Sequence, residues 1–236
     1  MSSKGKYIGI SNRIPIAVLE YAINDYIKTG KVNSQEYLKY ILEFTKGENR
    51  AKKTLGHLVS IIKKNSKLIE LISQKLNCDF NNLNNDDRIA LLICLYSLTF
   101  PITYDILNAF SVGFKVQEFI SKRVIKEKMG AAYGSNRSMH IGVDETLPII
   151  LGCGIVERSK IGIYKKGKKM TIVNHLINEI IVYTEIKSSG SKSILIDDIE
   201  QKPWFAYFNL PENKFKNPSH LLHRKDSSIG SGYLTI

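Results

Sequence analysis

Between Ile89 and Phe100 the chain reads IALLICLYSLTF, with no charged side chain in the run and Pro101 directly after it. At about a dozen residues it is too short to cross a bilayer. A helix that is apolar all round must instead be buried by other elements on every side. The rest of the chain therefore has to supply a shell of amphipathic segments around this one.

Those segments are legible. A helix is expected from about Pro15 to Thr29, with Ile16, Leu19, Ile23 and Ile27 at helical spacing and Gly30 as a stop. Ser34 is a candidate N-cap for a second, carrying Tyr37, Leu38, Ile41, Leu42 and Phe44 and ending at Gly47. Further helices are expected from Asn49 to Lys64 and from Ser66 through Leu76. The polar stretch Asn81–Asn85 reads as a loop, and Asn85 or Asp86 as the cap of the apolar helix. A helix after Pro101 is interrupted at Gly113, and another is expected from Lys115 to Met129, with Val116, Phe119, Ile120 and Val124 inward. Residues 130–142 give no clear pattern. A short helix starting at Asp144 would place Pro148 in its first turn.

Ile155–Lys169 reads IVERSKIGIYKKGKK, two short extended stretches with six basic residues. The alternation at Ile161–Tyr164 predicts a strand, Gly167 a tight basic turn, and Met170–Val173 the return strand. A helix follows within Ile172–Ile186, then a Ser-Gly linker over Ser188–Ser193. The aromatic cluster Trp204, Phe205, Tyr207 and Phe208 reads as a packing anchor rather than a base-stacking platform, and the last residues as an irregular tail. The fold class expected is mainly α, a helical bundle with a winged-helix-like part and a short β-hairpin. The organisation expected is a helical body over 1–100, a winged-helix-like nucleic-acid-binding region over 101–187, and a linker with the aromatic segment over 188–236.

The net charge is +12. Phe110–Lys169 holds twelve Lys and Arg against five Asp and Glu, so a quarter of the chain carries over half of that charge. Such a surplus favours an acidic partner, nucleic acid first and an anionic membrane surface second. Lys122, Arg123, Lys126, Arg158, Lys160, Lys165, Lys166, Lys168 and Lys169 are the candidate phosphate contacts. Arg137 and His140 are the candidates for base edges. Double-stranded DNA is the expected partner.

Cys78, Cys94 and Cys153 make neither a disulfide framework nor a CxxC pair, which fits a reducing cytoplasm. The histidines form no metal motif; His220 and His223 could share a helical face but read as surface groups. Residues 1–13 have no signal-peptide core. Asp197, Asp198 and Glu200 are the residues a metal-dependent nuclease would use, but IDDIEQK matches no clean pattern. Cys153, between two glycines, has no base at a recognised spacing. No cofactor and no catalytic role are expected.

The order of parts also resembles a known family. The helix Ile16–Thr29, a polar link, EYLKYILEF, NRAKKTLGHLVSIIKK, SKLIELIS, DRIALLICLYSLTFP and ITYDILNAF follow the layout of the small helical A component of BREX bacteriophage-defence systems. The resemblance covers roughly residues 10–165; residues 131–142 depart from it and the chain beyond Lys187 is additional. It implies a helical body like an RNA-binding antitermination fold, a winged-helix part, and DNA binding within phage defence, with no catalytic residue. The alternative function is a helical scaffold that docks an acidic protein.

Overall fold

The structure is a computed structural model describing residues 6–77, 79–211, 215, 218, 221–227 and 230–236. Cys78 and His220 lie outside the described residues. It is a mainly helical bundle with small open β-sheets.

Four helices come first: α1 (Ile16–Thr29), α2 (Ser34–Phe44), α3 (Glu48–Lys64) and α4 (Ser66–Lys75). Each turns an apolar stripe inward, with Leu19, Ile23 and Ile27 from α1 and Leu58, Ile61 and Ile62 from α3. Caps differ from expectation by one residue or more. Asn33, not Ser34, caps α2 by accepting from the Glu36 N–H, and Gly47 begins α3 rather than ending α2. Asn84 caps α5 (Asn85–Thr99), accepting from the Asp87 N–H at 2.8 Å. Asn and Asp cap about equally well, so in runs of such residues composition cannot choose among neighbours.

Helix α5 is the buried core helix the sequence demanded: its residues from Ala90 to Ser97 are all inaccessible. After a bend of 117° at Phe100–Pro101 the chain continues as α6 (Pro101–Phe114). Among the described residues, no single helix is long and apolar enough to cross a membrane.

The expected helix over 115–129 is not continuous. Its first part is a turn followed by strand β1 (Phe119–Ser121), and only α7 (Lys122–Tyr133) is helical. Val116 is 87% exposed and Phe119 45%, while Ile120 is buried. Strand pairing with a partner distant in sequence overrides local helical spacing here. Helix α8 (Arg137–Gly152) begins well before Asp144, and Pro148 lies inside it rather than in its first turn. Asn136 caps it, accepting from the Met139 N–H.

The hairpin is real but sits earlier than expected. Its strands are β2 (Val156–Lys160) and β3 (Ile163–Lys166), joined at Ile161–Gly162, where Gly162 takes φ +73°. Gly167 is not the tip. A Cβ there would collide with the Gly154 carbonyl oxygen, so this glycine lets the chain leave β3 pressed against the start of β2. The first sheet has the order β1-β3-β2, antiparallel throughout. Strand β4 (Met170–Thr171) pairs in parallel with β6 (Phe208–Asn209), not back onto the hairpin.

Helix α9 (His175–Ser189) is capped by Asn174 and ends at Gly190 in the left-handed conformation. The Ser-Gly stretch is thus a helix terminus leading into β5 (Ser193–Leu195), not a free linker. The tail is not irregular either. β8 (Tyr233–Thr235) is the middle strand of the sheet β5-β8-β7, with β7 spanning His223–Lys225.

The aromatic segment is core. Trp204 is fully buried, donates its Nε1–H to the Ile181 carbonyl at 3.0 Å, and packs its ring against Tyr104 and Phe208. Tyr207 donates its hydroxyl to the Leu107 carbonyl. These contacts fasten the chain after α9 onto α6 and α9. Truncating so large a buried ring leaves a cavity and removes its bond to the Ile181 carbonyl, so Trp204→Ala should lower unfolding free energy by about 3–5 kcal/mol in a denaturant titration.

Candidate nucleic-acid interface

The basic residues picked out by sequence all lie on or beside the unit α6–β1–α7–α8–β2–β3, but the fold divides them into three groups.

The first group is at the hairpin tip. Ser121 caps α7, accepting from the Val124 N–H, and puts Lys122 and Arg123 in the first turn. The Lys122 N–H donates to the Gly162 carbonyl at 2.8 Å, which seats the start of α7 against the turn that follows Lys160. Ile161, at that turn, is 96% exposed. Arg158 and Lys160 extend from β2, an edge strand.

The second group lies at the other end of the hairpin. Lys166 is opposite Val156, and Lys168 and Lys169 follow Gly167. Burial pushes the Lys166 ammonium pKa down, and the Lys169 charge pushes it further. The four lysines expected at one tip are therefore spread along β3 and its exit, a strand-length from Lys160. The third group, Arg137 and His140, stands exposed in the first turns of α8.

Carboxylates neutralise part of this charge. Asp144, in the middle of α8's outward face, binds Lys122 at 2.7 Å and Lys126 at 2.9 Å. Burial raises the Asp144 pKa, but the hydrogen bonds and charges of the two lysines outweigh it and leave the carboxyl below its ordinary value. Lys165 pairs with Glu157 across the strands at 2.9 Å, and Arg123 with Glu127 at 3.7 Å. Among the described residues, no carboxylate lies within ion-pair distance of Arg137, Arg158, Lys160, Lys166, Lys168 or Lys169. Exposed pairs of this kind are weak and exchange readily for other partners.

Sequence reasoning missed Asp144 as the partner of two lysines, because the pairing crosses from α7 to α8. It also missed the strap formed by Lys6–Arg13. Lys6 binds Asp105 at 2.8 Å and lies over the Tyr133 ring, Ile8 packs on Gly142, and the Arg13 N–H donates to Glu145 at 2.8 Å. Arg50 pairs with the same Glu145 at 3.5 Å. The strap covers α8 along the side of Gly142 and Glu145 and leaves its opening turns free.

The other candidate chemistries find no support. Asp197 is exposed, and hydrogen bonds from the Ser231 side chain and from the Ser231 N–H, the latter at 2.9 Å, hold its carboxyl below the ordinary value. Among the described residues, no group of three His, Cys, Asp or Glu side chains is placed to hold a metal ion. Cys94 and Cys153 are buried and their thiols are pushed up to about 12, far from the thiolate a nucleophile needs.

The chain matches no protein-family model, no curated protein and no solved structure.

The strap carries a pH dependence. His57 on α3 receives the Ser11 N–H at 3.2 Å and lies 3.1 Å from the Ser11 hydroxyl, both through Nε2. Burial lowers its pKa, with the Glu145 charge opposing in part. The folded state thus favours neutral His57. Its contribution to stability is complete above the unfolded value of about 6.5 and is lost as pH falls below it toward the folded value. A plot of unfolding free energy between about pH 7.5 and 5 should show this decline. His57→Gln should flatten it.

Proposed function

We propose that the protein is a non-catalytic DNA-binding component of a bacterial phage-defence or DNA-processing system, and that the unit from α6 to β3 is a winged helix. The observation carrying this reading is topological. Helix, strand, helix, helix, strand, strand, with the first strand beside the last, is the winged-helix arrangement; α7 and α8 are then the helix-turn-helix pair and Ile161–Gly162 the tip of a short wing. In this arrangement the opening turns of α8 face the major groove, and they are the part of α8 that the strap leaves uncovered. Arg137 and His140 stand there.

Phosphate contacts come from both sides of that helix. Lys122, Arg123 and Lys160 gather where the first turn of α7 meets the wing. Arg158, Lys166, Lys168 and Lys169 extend the positive surface along β2 and β3. Lysines and arginines of this kind position a duplex and release counterions, while base contacts from α8 add sequence preference. Lys122 and Lys126 would exchange Asp144 for phosphate. The resemblance in layout to the BREX A component, over roughly residues 10–165, supports the defence setting.

Electrophoretic shift titrations over a salt series test the reading. Replacing Lys160, Lys166, Lys168 and Lys169 together by Ala should weaken duplex binding and flatten its salt dependence by about 3–4 in slope. Asp144→Asn should tighten binding, because it frees Lys122 and Lys126 and removes a negative charge facing the phosphates. Unchanged affinity in the quadruple variant defeats the wing assignment. No duplex binding even at low salt, beside stable co-purification with an acidic protein, moves the function to a docking scaffold.

A further inference from the structure

A second basic surface lies outside the α6–β3 unit. Where α3 gives way to α4, a cleft of about 460 Å³ opens between these helices, the end of α5 and the end of α9. Lys63, Lys64, Lys67 and Lys187 line it, with Leu98 and Tyr183 among its apolar walls. All four lysines are exposed. Among the described residues none of them has a carboxylate within ion-pair distance. Lys64 lies 5.1 Å from the Tyr7 ring centre and Lys187 5.6 Å from that of Tyr183.

The helix dipole favours three of these positions and not the fourth. Lys63 and Lys64 close the last turn of α3, and Lys187 the last turn of α9, where cations are favoured. Lys67 sits in the first turn of α4, where a cation is disfavoured, and no acidic residue accompanies it. Nor does a side chain cap that helix. The preceding residue, Asn65, is buried and spends its amide on the Ile61 and Leu95 carbonyls and the Thr99 hydroxyl. The start of α4 and four lysines thus line one cleft, with no carboxylate paired to those lysines among the described residues.

We propose that this cleft binds a polyphosphate group, carried by a nucleoside triphosphate or present as inorganic polyphosphate. Four lysines line one half-open cleft instead of following a strand or helix face, which suits a compact ligand bearing three to four negative charges. The volume falls in the range of small-molecule sites, roughly 300–1,000 Å³. Backbone N–H groups at the start of α4 add donors of the kind that phosphates take. The Tyr183 ring and Leu98 offer an apolar surface for a base.

The test is calorimetric titration of the full chain with magnesium-free ATP, inorganic triphosphate and AMP. Both triphosphates should bind and AMP should bind far more weakly. The double variant Lys67→Glu/Lys187→Glu should lose at least about a hundredfold in affinity, and Lys187→Gln alone about tenfold. Lys28→Glu, on α1, should lose none. ATP binding more than about tenfold tighter than inorganic triphosphate, with the excess removed by Tyr183→Ala, assigns the nucleotide; equal affinity assigns the inorganic ligand. No binding of either triphosphate, or equal losses in the cleft and Lys28 variants, overturns the proposal. So does duplex DNA occupying the cleft lysines when neither triphosphate binds.

Discussion

Burial of α5 is the constraint on which the rest of the structure depends. A helix with no polar face leaves its neighbours no choice: each side must be covered, and α3, α6 and α9 cover it. The consequences reach the basic surface. Its first turn carries Asp86 and Asp87, whose carboxylates accept the backbone N–H groups of Thr171, Val173 and Asn174. The chain leaving the hairpin is thereby tied to the start of the buried helix. The bend at Pro101 sets α6, and with it the α6–β3 unit, at a fixed angle to the helical body.

Ion pairs divide the positive charge of that unit. Of the eleven candidate residues, Lys122, Arg123, Lys126 and Lys165 are held by acids, while Arg137, Arg158, Lys160, Lys166, Lys168 and Lys169 have no carboxylate within ion-pair distance among the described residues. The arrangement is divided, with one group at the hairpin tip, one at the exit of β3 and one at the start of α8, instead of a single dense spot. Such spacing suits a polymer. The α3–α4 cleft is the opposite case, with its four lysines lining a single half-open volume.

Much of the bundle could be read directly. Helices α1, α3, α4, α5 and α6 fall where their apolar spacing put them, because each buries one stripe, or in α5 the whole circumference, using neighbours in the chain to set the period. The aromatic anchor was legible for a related reason: Trp204, Phe205, Tyr207 and Phe208 are too large and too close together to be left in water. The failures share a different cause. Residues 115–121 have helical spacing but become turn and strand because β3 supplies hydrogen-bonding partners from more than forty residues away. The tail around Gly230 and Gly232 looked formless because β5 and β7, its pairing partners, cannot be inferred from the tail alone.

The same division holds for the candidate site. The order of residues established that positive charge accumulates between Lys115 and Lys169, since charge and composition are local properties that survive folding. Which of those charges remain available is a matter of side chains meeting across elements. Asp144 reaches Lys122 and Lys126 only because α8 crosses α7. The strap covers part of α8 only because Ile8 finds Gly142, and Gly167 sends the last lysines away from the hairpin tip because Gly154 leaves no room for a side chain. Those encounters depend on three-dimensional proximity, which no run of neighbouring letters encodes.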